Sequence, residues 1–359
     1  MNLRAFHSTQ GAHLAPDGIP LHYDNLLAEY RAGLEGGILL DRSHEGRIVM
    51  TGRDRIALLD RISTNNLATL ADGEGKPTLF TNANARILDR VVVYDRGDSL
   101  LIITEPGRGA GFQAFLQGNI FFGDQVQTDN QTEITRQFAL HGPLADAVME
   151  SFVPEVSTLS AFHSASAMIA ETTIFVARRK PITGAHWIIT MAVEKAAEVW
   201  RAIMNAGQAH GLMATGSLTY NTLRIRAGRP AGRELSQDYI PLEVGLWDEV
   251  SFSKGCYTGQ EIIARMESRG RLAKTIVHLQ LTELVLAPAS VYQAERGVGT
   301  LTSSAAAPDG EVFALAVIKT PLARPGQQLE VGDARIDAAI IALAGSQPAT
   351  LKSEDSARI

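Results

Sequence analysis

Apolar residues recur at helical spacing across residues 23–34, where Tyr23, Leu26, Leu27, Tyr30 and Leu34 share a face and Gly36-Gly37 supplies a stop. The spacing predicts a helix there. Residues 47–51 read as a strand, and Asp54 is placed to cap a short helix running to Ile62. Two β-branched runs, Arg86–Tyr94 and Leu100–Thr104, flank Asp95-Arg96-Gly97-Asp98, which is a hairpin signal. A second hairpin joins Thr172–Arg178 to Trp187–Ala192 through Pro181 and Gly184. From Glu194 to Ala209, Ala196, Val199, Trp200 and Ile203 fall on one face before Gly211 ends the run, giving the clearest amphipathic helix in the chain. Trp187 and Trp200 are expected in the core.

The pattern changes near residue 275. Strand-like runs at Thr275–Leu281, Val312–Lys319 and Ala334–Ile341, separated by turns rich in Gly, Pro and Ala, predict a small β-barrel or sandwich. The expected division is therefore 1–274, then 275–348, with a polar, disordered tail over 349–359. Helices and strands mix without a regular βαβ rhythm, so the class read from the pattern is α+β. A length of 359 residues fits two or three domains. With 45% hydrophobic residues, such a chain builds its core without disulfides or structural metal. A net charge of −6 gives no basic footprint, so no direct nucleic-acid partner is expected. Arg178-Arg179-Lys180 reads as a solvated strand end. The first residues lack a secretory apolar stretch and no run of about 18 apolar residues occurs, so the expected location is cytoplasmic, away from membranes.

The chemistry concentrates in Lys254-Gly255-Cys256-Tyr257-Thr258-Gly259-Gln260-Glu261. Cys256 is the only cysteine, which excludes an internal disulfide or a cysteine-rich metal site. Lys254 lies two residues away, and a nearby ammonium favours a thiolate. A helix starting at Gln260 would add its positive end. A small buried hydrophobe is the alternative reading of a lone cysteine.

This octapeptide resembles the signature of the YgfZ-type proteins, whose mitochondrial relatives act late in iron–sulfur cluster assembly. The likeness extends upstream through Leu223-Arg224-Ile225, Gly228, Pro230, Gly232, Glu234-Leu235, Pro241-Leu242-Glu243 and Gly245-Leu246, and downstream to Gly270. Nearer the N-terminus it includes Asp41, Ser43, His44, Gly52, Thr64-Asn65 and the strand Arg86-Ile87-Leu88-Asp89. The resemblance implies the aminomethyltransferase (glycine-cleavage T-protein) fold: two α+β lobes and a small C-terminal barrel around a folate channel. It implies tetrahydrofolate or a one-carbon derivative as ligand, and iron–sulfur enzymes or their assembly proteins as partners. The implied functional residues are Cys256 and Lys254, with Gly255, Tyr257, Gly259, Gln260 and Glu261 shaping the loop. Arg224, Asn65 and His44 are expected at the ligand, and so is Arg265, if it meets an anionic folate tail with Arg269 and Arg271. No metal ligands are expected.

The sequence departs from the transferases in three places. The resemblance implies that the aspartate assisting transfer there is second in an Asp-Asp or X-Asp pair, a position that Arg90 fills here. Here the pair reads Asp89-Arg90, and the acid is Asp89, pointing to the opposite face of a strand. Asp89 then serves either as a catalytic acid or as a strand-end surface charge. A glutamate that holds the pterin is replaced in Thr183-Gly184-Ala185, and Arg226 stands where relatives carry an acid. Gly107-Arg108-Gly109-Ala110-Gly111 fits no phosphate-loop spacing and reads as a flexible turn. Three functions follow: folate-dependent support of iron–sulfur enzymes through Cys256, tetrahydrofolate-dependent aminomethyl or methyl transfer through Asp89, or a folate-free scaffold.

Overall fold

The computed structural model of the protein describes residues 2–154, 156, 158–270 and 272–348. The tail expected over 349–359 and Arg271 lie outside the described residues. The chain divides into two compact units: one of residues 1–59, 67–77 and 91–223, the other of 60–66, 78–90 and 224–359.

In the first unit a six-stranded sheet runs in the order Ser164–Ile169, Thr172–Arg178, Ala185–Ala192, Thr135–Gly142, Gly37–Asp41, Leu212–Ala214. Its pairs are antiparallel except the last, which is parallel. The predicted amphipathic helix forms as Ala196–Gly207 and lays Val199, Trp200 and Ile203 on a core containing Phe138, Leu140, Trp187 and Ile189. The Trp200 ring meets Phe138 edge-on, 5.0 Å between centroids. Gly211, at φ 64°, ends this helical stretch in the left-handed region that glycine tolerates.

A second sheet orders Gly75–Thr81, Ile87–Asp95, Ser99–Pro106, Glu45–Thr51 and Gln127–Asn130. The strand Ile87–Asp95 begins in the second unit and passes into the first at Val91. The hairpin at Asp95–Ser99 closes as the sequence predicts, with the Arg96 N–H donating to the Ser99 carbonyl at 2.9 Å.

The second unit carries a closed six-stranded barrel, ordered Lys274–Leu281, Val312–Lys319, Arg296–Ala306, Ala289–Gln293, Gln328–Val331, Ile336–Leu343. Alternate positions fill its interior, among them Val277, Leu279, Leu281, Ala314, Ala316 and Ile318. Closure removes the free edges that a sandwich would leave. Ahead of the barrel lie three 3-10 turns, Gly232–Leu235, Pro241–Val244 and Trp247–Glu249, and the helix Gln260–Arg269. Among the described residues no helix is long and apolar enough to cross a membrane.

Candidate functional site

The octapeptide loop is anchored from inside. Lys254 keeps only 2% of its side chain exposed, and its Nζ donates to the Ser63 carbonyl (3.0 Å), the Asn65 carbonyl (2.8 Å), Asp60 Oδ1 (3.1 Å) and the Asp60 carbonyl. An ammonium has three donors and no acceptor, so this ring of oxygens absorbs its full capacity. Burial lowers the Lys254 pKa, and Asp60 opposes that shift. The anchored segment is itself stitched in place: Thr64 Oγ1 donates to the Glu249 carbonyl (2.8 Å), and the Ser251 N–H donates to the Thr64 carbonyl (2.9 Å). Asn65 is therefore held by its backbone, its N–H reaching Thr78 Oγ1 at 2.9 Å.

Beyond the anchor the loop turns sharply. Gly259 sits at φ +85°, where an added Cβ would stand 2.8 Å from the Asn82 carbonyl oxygen, so only glycine fits. Tyr257 is buried, and burial pushes its phenol up to about 12. Gly255, Cys256 and Thr258 are exposed, and so are Glu261 and Arg265 on the helix that follows. The reading of Cys256 as a small buried hydrophobe is thus overturned. The lysine points inward as a clamp and the thiol faces solvent. The Gln260–Arg269 helix begins four residues after Cys256.

On the neighbouring strand, Asp89 and Arg90 diverge as alternation requires. Asp89 is 7% exposed on the face of Ile87, Val91 and Val93, and its Oδ1 accepts the Arg90 N–H at 3.2 Å. It is not a surface charge. Arg90 makes a two-pronged pair with Glu249, Nε to Oε2 at 2.7 Å and Nη2 to Oε1 at 2.6 Å, with both side chains nearly buried. The Arg90 cation is thereby neutralised within its own unit. Sequence reasoning passed over Glu249. The signal available was a charge reversal: an arginine in an acid's place calls for an acid elsewhere.

Arg224 belongs to a buried network, donating to Ser303 Oγ (2.9 Å) and pairing with Glu234 (3.4 Å), which also accepts from Ser303 Oγ (2.7 Å). It ties the end of the helix Ser217–Arg226 to the barrel strand Arg296–Ala306. Arg226 lies over the Phe313 ring and pairs with Asp309 at 3.3 Å.

His44 lies in the first unit, on a cavity of about 830 Å³ that it shares with Arg4, Asp41, Gly109, Asn130 and Thr132. Its Nδ1 is buried without a hydrogen-bond partner. Burial first, and Arg42 second, lower its pKa to about 4, which keeps the ring neutral near pH 7. The stretch expected to be a flexible turn at 107–111 instead opens the helix Gly109–Gly118, whose first residues line this cavity. Gly46 and Gly109 approach so closely there that a Cβ on Gly46 would lie 2.4 Å from the Gly109 Cα. Beneath the cavity, Asp41 accepts from the Ser43 N–H (2.8 Å) and meets His7 Nε2 (3.2 Å), while His7 Nδ1 meets the Tyr23 hydroxyl (2.8 Å).

The GCVT N-terminal domain family matches residues 5–254. The chain belongs to this family. It is 30% identical over 333 residues, 91% of this chain and 75% of the relative, to a chloroplastic protein of Arabidopsis thaliana named provisionally as a transferase. It is 28% identical over 316 residues, 86% of each chain, to an aminomethyltransferase of Chlorobium phaeovibrioides. The crystal structure of the glycine cleavage system aminomethyltransferase T from Bartonella henselae superposes with a TM-score of 0.84 over 96% of both chains, at 20% identity. That likeness establishes the T-protein fold, with its mixed lobes and terminal barrel. This chain has a buried acid at Asp89. It lacks one at Ala185, where the turn instead buries the Thr183 hydroxyl without a partner.

Proposed function

We propose that this GCVT-family protein binds a reduced folate and transfers a one-carbon unit, aminomethyl or methyl, with Asp89 as its acid–base group. The carrying observation is the buried Asp89 carboxylate on an ordered strand, in a chain that matches aminomethyltransferases over most of its length. Tetrahydrofolate, when bound, supplies the nitrogen that carries the one-carbon unit. The chain's part is to orient that nitrogen and to take its proton on Asp89 as the new C–N bond would form and the donor's C–S bond would break, the proton then passing to the departing lipoyl sulfur, which leaves as a thiol. The test is turnover of tetrahydrofolate with a lipoyl-bound aminomethyl donor, which Asp89→Asn should reduce at least 100-fold while tetrahydrofolate binding persists. Equal rates for both proteins would sink the assignment.

A second reading has its own support. Cys256 is exposed on a loop clamped by a fully engaged lysine, a geometry suited to presenting a thiol to a partner. In this reading the protein supports iron–sulfur enzymes. It predicts that Cys256→Ala abolishes rescue of an iron–sulfur-dependent activity in cells lacking their own family member, and rescue by the alanine variant would refute it.

A further inference from the structure

We propose that His13, His22 and Asp24 form a binding site for a divalent first-row transition-metal ion. The three residues come from a short hairpin, His13–Leu14 paired antiparallel with Pro20–His22, in which His13 stands directly opposite His22. Directly opposite positions put both imidazoles on one face, and their rings stack with centroids 4.4 Å apart. Asp24 follows at φ 69°, a left-handed conformation that aspartate tolerates better than most residues. That turn folds its carboxylate back over the histidines. Asp24 Oδ1 lies 2.6 Å from His13 Nε2, and the Asp24 N–H donates to His22 Nδ1 at 3.1 Å. One ligand atom from each of the three residues falls within a 4.8 Å span.

Two imidazoles and a carboxylate suit zinc, iron, cobalt, nickel or copper rather than calcium or magnesium. Metal–nitrogen and metal–oxygen bonds are about 2.0–2.2 Å, so the ion would take the place of the proton now shared by His13 and Asp24. Both of those side chains are more than half exposed, so small rotations complete the set and water fills the remaining positions. The hairpin has reason to use such a clip. Strands of two and three residues are marginal alone. The turn between them, Asp17-Gly18-Ile19, forms part of the cavity wall beside His44, so a bound ion would fix that wall.

The experiment titrates Co²⁺ and Zn²⁺ into the full chain, following cobalt absorption and calorimetric heat. The expected result is one saturable site, with affinity reduced at least tenfold in His13→Gln, His22→Gln and Asp24→Asn. Circular dichroism and the metal-free melting temperature should stay close to wild type, since His13 and Asp24 are exposed and His22 is half-buried. Absence of saturable binding would mean that His13 and Asp24 form an ion pair only, and would overturn the proposal. Saturable binding unchanged in the His13→Gln/His22→Gln double variant would place the ion on other histidines, with the same consequence.

Discussion

Replacing Lys254 with methionine separates an anchoring role from a chemical one. Methionine fills much of the same volume but leaves the carbonyls of Asp60, Ser63 and Asn65, and the Asp60 carboxylate, without their shared donor. A hydrogen bond to a charged group contributes about 1.5–3 kcal/mol, and removing one partner of a buried pair costs roughly 3–5 kcal/mol. Asp60 is 22% exposed and regains some water, so about 3 kcal/mol is expected. At ~1.4 kcal/mol per tenfold, this is on the order of 100-fold in local opening. Amide hydrogen exchange is the suitable assay, because a chain of two units need not unfold in a single step. Protection at Thr64, Leu79 and Ser251, whose amides or carbonyls bracket the clamp, should fall by that factor. Cys256→Ala, at an exposed position two residues away, should change it by less than threefold. Unchanged protection in Lys254→Met, or an equal loss in Cys256→Ala, would refute the clamp.

Three further outcomes follow from the geometry. Arg90→Met should cost about 3–5 kcal/mol in urea unfolding by stranding Glu249, while Arg90→Met/Glu249→Met recovers most of it. If the double variant is no better than the single, the pair is not what holds Glu249. Gly259→Ala should destabilise by about 2 kcal/mol or more through its left-handed backbone and the 2.8 Å approach of the Asn82 carbonyl oxygen, shown by a lower urea midpoint with unchanged slope. The depressed His44 pKa means the unfolded chain binds the extra proton first. Stability from this group is full above about pH 6.5 and is lost as the pH falls toward 4, by up to roughly 3 kcal/mol, and His44→Gln should flatten that part of the profile.

Where local pattern and tertiary need agree, the fold was legible. The helix Ala196–Gly207 carries its core on one stripe, the hairpin at Asp95–Ser99 has turn residues between β-branched runs, and three barrel strands stand out between small-residue turns. The hairpin of His13 and His22 was not legible, because strands of two and three residues are too short to show a period. The helix at Gly109–Gly118 was hidden behind glycines that serve a close backbone approach to Gly46 rather than flexibility. At the site, the octapeptide drew attention to the right loop, but spacing along the chain could not tell which side chain turns inward. Lys254 finds its partners some 190 residues away in sequence, in Asp60, Ser63 and Asn65, and Arg90 finds Glu249 at a separation of 159. Ion pairs of that reach leave no local trace.

The central claim is that Asp89 gives this GCVT-family protein its transfer chemistry, and the most direct measurement is single-turnover aminomethyl transfer to tetrahydrofolate by wild type and by Asp89→Asn. The account predicts measurable transfer by wild type, a loss of at least 100-fold in the asparagine variant, and equal folate affinity for the two. Transfer at the same rate in both, or folate binding by wild type with no transfer at all, would contradict it.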